Sequence, residues 1–179
     1  MSIYLIRHGQ TNGNRDRIIQ TPDTPLSELG QQQAQQLAQR LQNIPITKII
    51  CSDYLRAQQT AAPLHASNQS SFILQPLLRE RNFGDLRGKT YADINADFFA
   101  EGYVPPNGET HQQFVARINL VWEFILTSYL NTTSSLIVMT HGLVLRELIK
   151  QHLTIDELML QLLNFQNTCI TEVDGTDKR

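Results

Sequence analysis

The chain of 179 residues is 41% hydrophobic and 18% charged, which is material for one ordinary folded domain and excludes a disordered segment. A net charge of −2 gives no bulk attraction for nucleic acid or for an anionic membrane surface. Two cysteines, Cys51 and Cys169, form no Cys-x-x-Cys pair and have no ligand-like spacing to histidine, so neither a disulfide framework nor a zinc site is expected.

The first apolar run, residues 3–6, is too short for the core of a signal peptide, and no run approaches the roughly 18 apolar residues of a membrane span. The expected compartment is the cytoplasm. The sequence carries no signal for an oligomeric state.

Runs at 3–6, 49–51 and 136–139 are apolar without alternation, as in strands buried on both faces of a parallel sheet. A weaker run lies at 72–74, and a more alternating one at 169–173 suits a sheet edge. Between them, Ser27 is a candidate N-cap for a helix with Ala34, Leu37, Ala38 and Leu41 on one face and glutamines on the other. A second helix is expected over about 54–66, kinked or cut short by Pro63. The longest spans roughly 110–130, with Phe114, Ile118, Val121, Trp122, Ile125 and Tyr129 on its apolar face. Another follows Gly142, and Thr154 with Glu157 reads as the capping box of a last one. Alternation of strands and helices predicts a single three-layer α/β/α domain with a mostly parallel sheet. The stretch 102–108 is the most loop-like and is a candidate rim for an active site.

In open α/β sheets, ligands bind beyond the carboxyl ends of the strands. After the first run come Arg7-His8-Gly9-Gln10-Thr11 and then Asn14; after the second, Ser52-Asp53-Tyr54-Leu55-Arg56; after the third, Thr140-His141-Gly142. Three strand ends thus bring Arg7, His8, Arg56 and His141 to one edge, where they would repel one another unless an anion lay among them. Gly142 also opens a helix, whose positive end favours a phosphate. Glu80, in a loop after the fourth run, supplies an acid. Read singly, Glu80 is a salt-bridge partner for a neighbouring arginine, and the other histidines, His65, His111 and His152, are packing or surface residues, with His111 beside the possible rim.

These blocks, with Thr24-Pro25-Leu26-Ser27-Glu28-Leu29-Gly30 and Leu78-Arg79-Glu80 in the same order, resemble the histidine phosphatase superfamily, the phosphoglycerate mutase-like fold. The resemblance covers nearly the whole chain. It implies that His8 is a nucleophile forming a phosphohistidine, that Arg7, Arg56 and His141 bind the phosphoryl group with Asn14 assisting, and that Glu80 gives the leaving oxygen its proton; Gly142, from its place at the helix start, is expected to join the phosphate-binding set. It implies a small phosphorylated metabolite as substrate and no metal or other cofactor. In that scheme a charged His141 joins the two arginines in neutralising the phosphoryl oxygens.

His141 lies 61 residues after Glu80, a shorter span than the resemblance implies for a mutase, and the stretches 78–88 and 105–110 look like the phosphatase branches. The expected activity is therefore hydrolysis of a phosphomonoester. The alternatives are phosphoglycerate mutase activity and a non-catalytic phospho-ligand binder. Two departures stand out. Gln20-Thr21 replaces the Gln-Gly usual in such relatives, which puts that loop's substrate contacts in question, and the chain ends soon after Val173, which does the same for a terminal strand.

Overall fold

The computed structural model describes residues 1–174. Ser2–Arg7 (β1), Ile46–Cys51 (β2), Ser71–Leu74 (β3), Ser135–Thr140 (β4) and Ile170–Asp174 (β5) form one sheet in the order β3-β2-β4-β1-β5. The first four strands are mutually parallel, and β5 closes one edge antiparallel to β1. The six helices among the described residues are Asn12–Arg15 (α1), Glu28–Arg40 (α2), Leu55–Asn68 (α3), His111–Leu130 (α4), Gly142–His152 (α5) and Glu157–Leu162 (α6).

Side chains alternate across each strand, so a run apolar at every position fills two cores at once. Ile3 and Leu5 of β1, with Leu136 and Val138 of β4, pack under α4 and α5. Tyr4, Ile6, Ile137 and Met139 face the other way and meet Leu37, Ala38 and Leu41 of α2 and Ala57, Ala61 and Leu64 of α3. This is the three-layer arrangement expected from the sequence. The functional consequence is rigidity at the strand ends: His8 N–H continues the β1–β4 ladder to Thr140 O at 2.9 Å, and Ser52 N–H continues the β2–β4 ladder to Met139 O at 2.9 Å. The residues that leave those strands start from fixed backbone.

Several local expectations shift. Pro63 does not end α3, which runs on to Asn68. The cap of α6 is Asp156, not Thr154; its carboxylate accepts from Leu158 N–H at 2.8 Å and Met159 N–H at 3.4 Å. A carboxylate at a helix start meets free N–H groups and the positive dipole end, which explains why it prevails over a more distant threonine. The terminal strand is present as β5.

The stretch 102–108 does not line the active-site cleft; it braces the covering segment from outside. Gly84, at φ +51°, leaves no room for a side chain: a Cβ there would lie 2.0 Å from Pro106 O, and Asp85 N–H donates to that same carbonyl at 2.9 Å. The segment it anchors buries Phe83, Leu86 and Phe98 together with Ile19 as a small separate core beside the strand ends.

Candidate active site

The strand ends open into a cleft of about 260 Å³ that His8, Arg7, Arg56, Asn14, Glu80 and Gly142 all line. His8 is fully buried in the loop after β1, with its Nδ1 2.7 Å from the Gly9 carbonyl. A carbonyl only accepts, so Nδ1 carries the hydrogen and Nε2 keeps its lone pair. That lone pair faces Arg56, whose Nε–H donates to Nε2 at 3.3 Å. Arg56 is itself 2% exposed and is held by the Thr21 carbonyl at 3.0 Å and by the face of Tyr54. At this departure the Thr21 carbonyl serves Arg56, and its hydroxyl turns to Asp23 and Thr24.

Behind His8 lies His141, ring centroids 5.1 Å apart, with its Nε2 2.8 Å from Ser52 Oγ. Its Nδ1 is buried without a hydrogen-bond partner among the described residues, and so is Arg7 Nε. The Arg7 guanidinium donates from Nη1 to the Phe165 carbonyl and packs against Gly142, where a Cβ would stand 3.4 Å from its Nε. Arg7 lines the cleft and His141 lies behind its wall, and an unpaired buried nitrogen is costly unless an acceptor reaches it. The Asn14 carboxamide is oriented by its surroundings: the Thr11 N–H can only donate, so the atom 3.1 Å away is Oδ1, which leaves Nδ2 as that side chain's donor.

Glu80 stands at the opposite wall. Its Oε1 accepts from Arg81 N–H at 3.0 Å and its Oε2 from Leu143 N–H, in the first turn of α5, at 3.3 Å. One of the free N–H groups of this helix start, that of Leu143, thus holds the carboxylate, and Glu80 is in no side-chain salt bridge with an arginine among the described residues. Sequence reading missed Ser52 as the partner of His141, Thr60, which accepts from Gly9 N–H at 2.9 Å, and the segment around Phe165. It also missed Arg81, Arg87 and Arg146 on the cleft walls, which with Arg7 and Arg56 set five arginines against Glu80. Such an imbalance in a low-dielectric cleft draws anions.

Burial, with Arg56 and Arg7 adding to it, lowers the affinity of both His8 and His141 for protons well below that of a free imidazole. Arg56 is pushed down to about 10 by burial and remains charged at neutral pH. Burial thus favours the neutral form of both rings. A neutral ring that accepts from Ser52 at Nε2 still donates from Nδ1.

A stability prediction follows from these shifts. Between pH 6.5 and the much lower folded values, the unfolded chain binds protons at these two positions and the folded chain does not, so folding stability falls as pH drops below about 6.5. Each histidine contributes up to about 1.4 kcal/mol per pH unit. Thermal melts should show a midpoint several degrees lower at pH 5.5 than at pH 7, and a flat profile would contradict this account.

A family model described as the histidine phosphatase superfamily (branch 1) matches residues 3–179. The chain belongs to this superfamily. Among its curated relatives is the fructose-2,6-bisphosphatase TIGAR of Xenopus tropicalis, 32% identical over 145 residues, covering 75% of this chain and 53% of that protein. The chain therefore spans about half the length of that relative. A probable phosphoglycerate mutase GpmB of Enterobacter sp. (strain 638) is 33% identical over 186 residues, covering 97% and 85% of the two chains. Among solved structures, a mycobacterial glucosyl-3-phosphoglycerate phosphatase superposes with a TM-score of 0.82 at 27% identity, covering 97% and 91%. The phosphoglycerate mutase-like fold expected from the sequence is the fold observed. No helix among the described residues is long and apolar enough to cross a membrane.

Proposed function

We propose that this superfamily member hydrolyses a small phosphorylated metabolite through a phosphohistidine on His8. The observation that carries the reading is the pair of unpaired buried nitrogens, Arg7 Nε and His141 Nδ1, in the same site as the Nε2 lone pair of His8. A phosphoryl group satisfies these donors and presents phosphorus to the nucleophile.

In this scheme Arg56 turns its Nε–H from His8 Nε2 to a phosphoryl oxygen, which frees the lone pair as the substrate enters. Arg7, Arg56, neutral His141 and Asn14 Nδ2 then stabilise charge on the transferring oxygens. His8 Nε2 forms the N–P bond as the P–O bond to the alcohol breaks, and the Glu80 carboxyl gives its proton to the departing oxygen. In the second half, Glu80 takes a proton from water, which attacks phosphorus and releases inorganic phosphate and free His8. One carboxyl acts first as acid and then as base. Hydrolysis is favoured over mutase action by the 60 residues between Glu80 and His141, a short span over which to shield an intermediate from water.

The test is turnover of an aryl phosphate with EDTA present, followed by a panel of sugar phosphates, phosphoglycerates and phosphorylated cofactor precursors. Release of inorganic phosphate from at least one metabolite is expected. Net conversion of 3- to 2-phosphoglycerate without phosphate release would replace this reading by a mutase.

A further inference from the structure

The segment 163–169, between α6 and β5, lies against the loop that follows β1. The Phe165 carbonyl accepts from Arg7 Nη1. Thr168 N–H donates to the carbonyls of Arg7 at 3.1 Å and His8 at 3.3 Å, and Arg7 N–H donates to Cys169 O at 3.3 Å. Asn167 reaches furthest: its Nδ2 donates to His8 O at 3.0 Å and to Asn14 Oδ1 at 3.2 Å. One short stretch therefore touches three of the residues around the anion site. Thr168 holds this turn at φ 57°, a left-handed conformation that a β-branched residue adopts only at a cost.

Edge-strand pairing alone does not account for these bonds. β5 is already registered on β1 from Ser2↔Asp174 to Ile6↔Ile170, with no contribution from the Asn167 side chain. What Asn167 adds is orientation. Its amide faces the His8 carbonyl, an acceptor only, so the atom there is nitrogen and not oxygen. That nitrogen and the Thr11 N–H then converge on Asn14 Oδ1. The Thr11 hydroxyl joins them at 3.1 Å, so the Asn14 carboxamide cannot rotate without losing all three bonds, and Nδ2 is left as its donor in the cleft wall.

We propose that Asn167 is a positioning residue for phosphoryl binding: its amide locks Asn14 with Nδ2 toward the anion and steadies the His8 backbone, while the turn at Thr168 holds the strap in place. The proposal rests on the phosphoryl-transfer reading for its purpose, but its geometry is tested without turnover. Orthovanadate, which mimics the phosphoryl group in flight, is titrated calorimetrically into wild type, Asn167→Ala, Asn14→Ala and the double variant. Asn167→Ala should weaken vanadate binding roughly five- to tenfold, the scale of one or two hydrogen bonds, and lower kcat/KM on an aryl phosphate in proportion. In the Asn14→Ala background the same change should cost less than about twofold, because its target is gone.

Asn167→Asp keeps the shape but turns a second acceptor toward His8 O and Asn14 Oδ1, so it should bind vanadate more weakly than Asn167→Ala. Losses that simply add in the double variant, or an Asn167→Asp protein with wild-type affinity, would overturn the proposal. So would an Asn167→Ala protein that melts earlier yet binds vanadate unchanged, since that is the behaviour of a purely structural strap. Wild type that binds vanadate with this coupling but turns nothing over would instead count against the hydrolase reading.

Discussion

His8→Ala is expected to lower turnover of an aryl phosphate by roughly three orders of magnitude or more while leaving the affinity for vanadate within about tenfold of wild type. The split follows from the geometry. On the proposed mechanism the anion is held by Arg7, Arg56, His141 and Asn14, none of which depends on His8 Nε2 for its own orientation except Arg56, whose Nε–H donates to it at 3.3 Å. Removing the ring frees that donor for the anion, so binding survives. The N–P bond cannot form, and water must attack a substrate no longer activated through a covalent intermediate.

Rapid quenching with labelled substrate should trap phosphate on the wild-type protein in an acid-labile, base-stable linkage, and none on the variant. His8→Asn keeps a donor for the Gly9 carbonyl and should fail in the same way, which separates loss of the nucleophile from loss of the fold. Wild-type turnover by either variant would end the phosphohistidine mechanism. Both variants also remove one buried imidazole that resists protonation, so their stability should fall less steeply than wild type below pH 6.5.

The site was legible in the sequence where it hangs on the ends of buried strands. Runs apolar at every position implied a sheet covered on both faces, and such a sheet is read at its carboxyl edge. Arg7, His8, Arg56 and His141 follow those runs directly, and the structure brings them together. The parts that escaped belong to irregular backbone. Thr21 contributes through a carbonyl, so its identity carried no signal, and its side chain turns to Asp23 and Thr24.

Asn167 sits 159 residues from the carbonyl that it holds, on a turn whose positive φ falls on a threonine, so no local pattern announces it. Ser52 was visible in a motif, yet its bond to His141 spans 89 residues and depends on strand order. The lowered proton affinity of His141 is likewise a property of burial, reinforced by Arg56, His8, Arg7 and Arg117, which meet only in the fold. The rim was misplaced for a related reason. A proline- and glycine-rich stretch signals a loop, but which side of the covering segment it supports is fixed by the close approach of Gly84 to Pro106.

Glu80→Gln should separate substrates by their leaving groups. The carboxyl stands on the wall formed by Arg81 and Leu143, bonded to both backbone N–H groups. An alkyl phosphate expels a poor leaving group that needs a proton in the transition state, so its first-turnover rate should fall by roughly 10² to 10⁴. A nitrophenolate departs without that proton, and its first-turnover rate should fall less than about tenfold. In the proposed second half-reaction Glu80 is the base for water whichever substrate was used. With the aryl ester, the variant should therefore show a burst of about one nitrophenol per site, followed by slow steady turnover as phosphohistidine accumulates.

Glutamine fits the wall poorly, because only one of its two atoms can accept from Arg81 and Leu143. Glu80→Gln should for that reason also melt slightly earlier, and Glu80→Asp, which keeps a carboxylate on a shorter stem, provides the control. Partial recovery of alkyl phosphate turnover in Glu80→Asp relative to Glu80→Gln is expected. Equal losses for alkyl and aryl esters in the first turnover would assign Glu80 to holding the Leu143 and Arg81 backbone rather than to proton transfer, and another acid would have to be sought on the same wall.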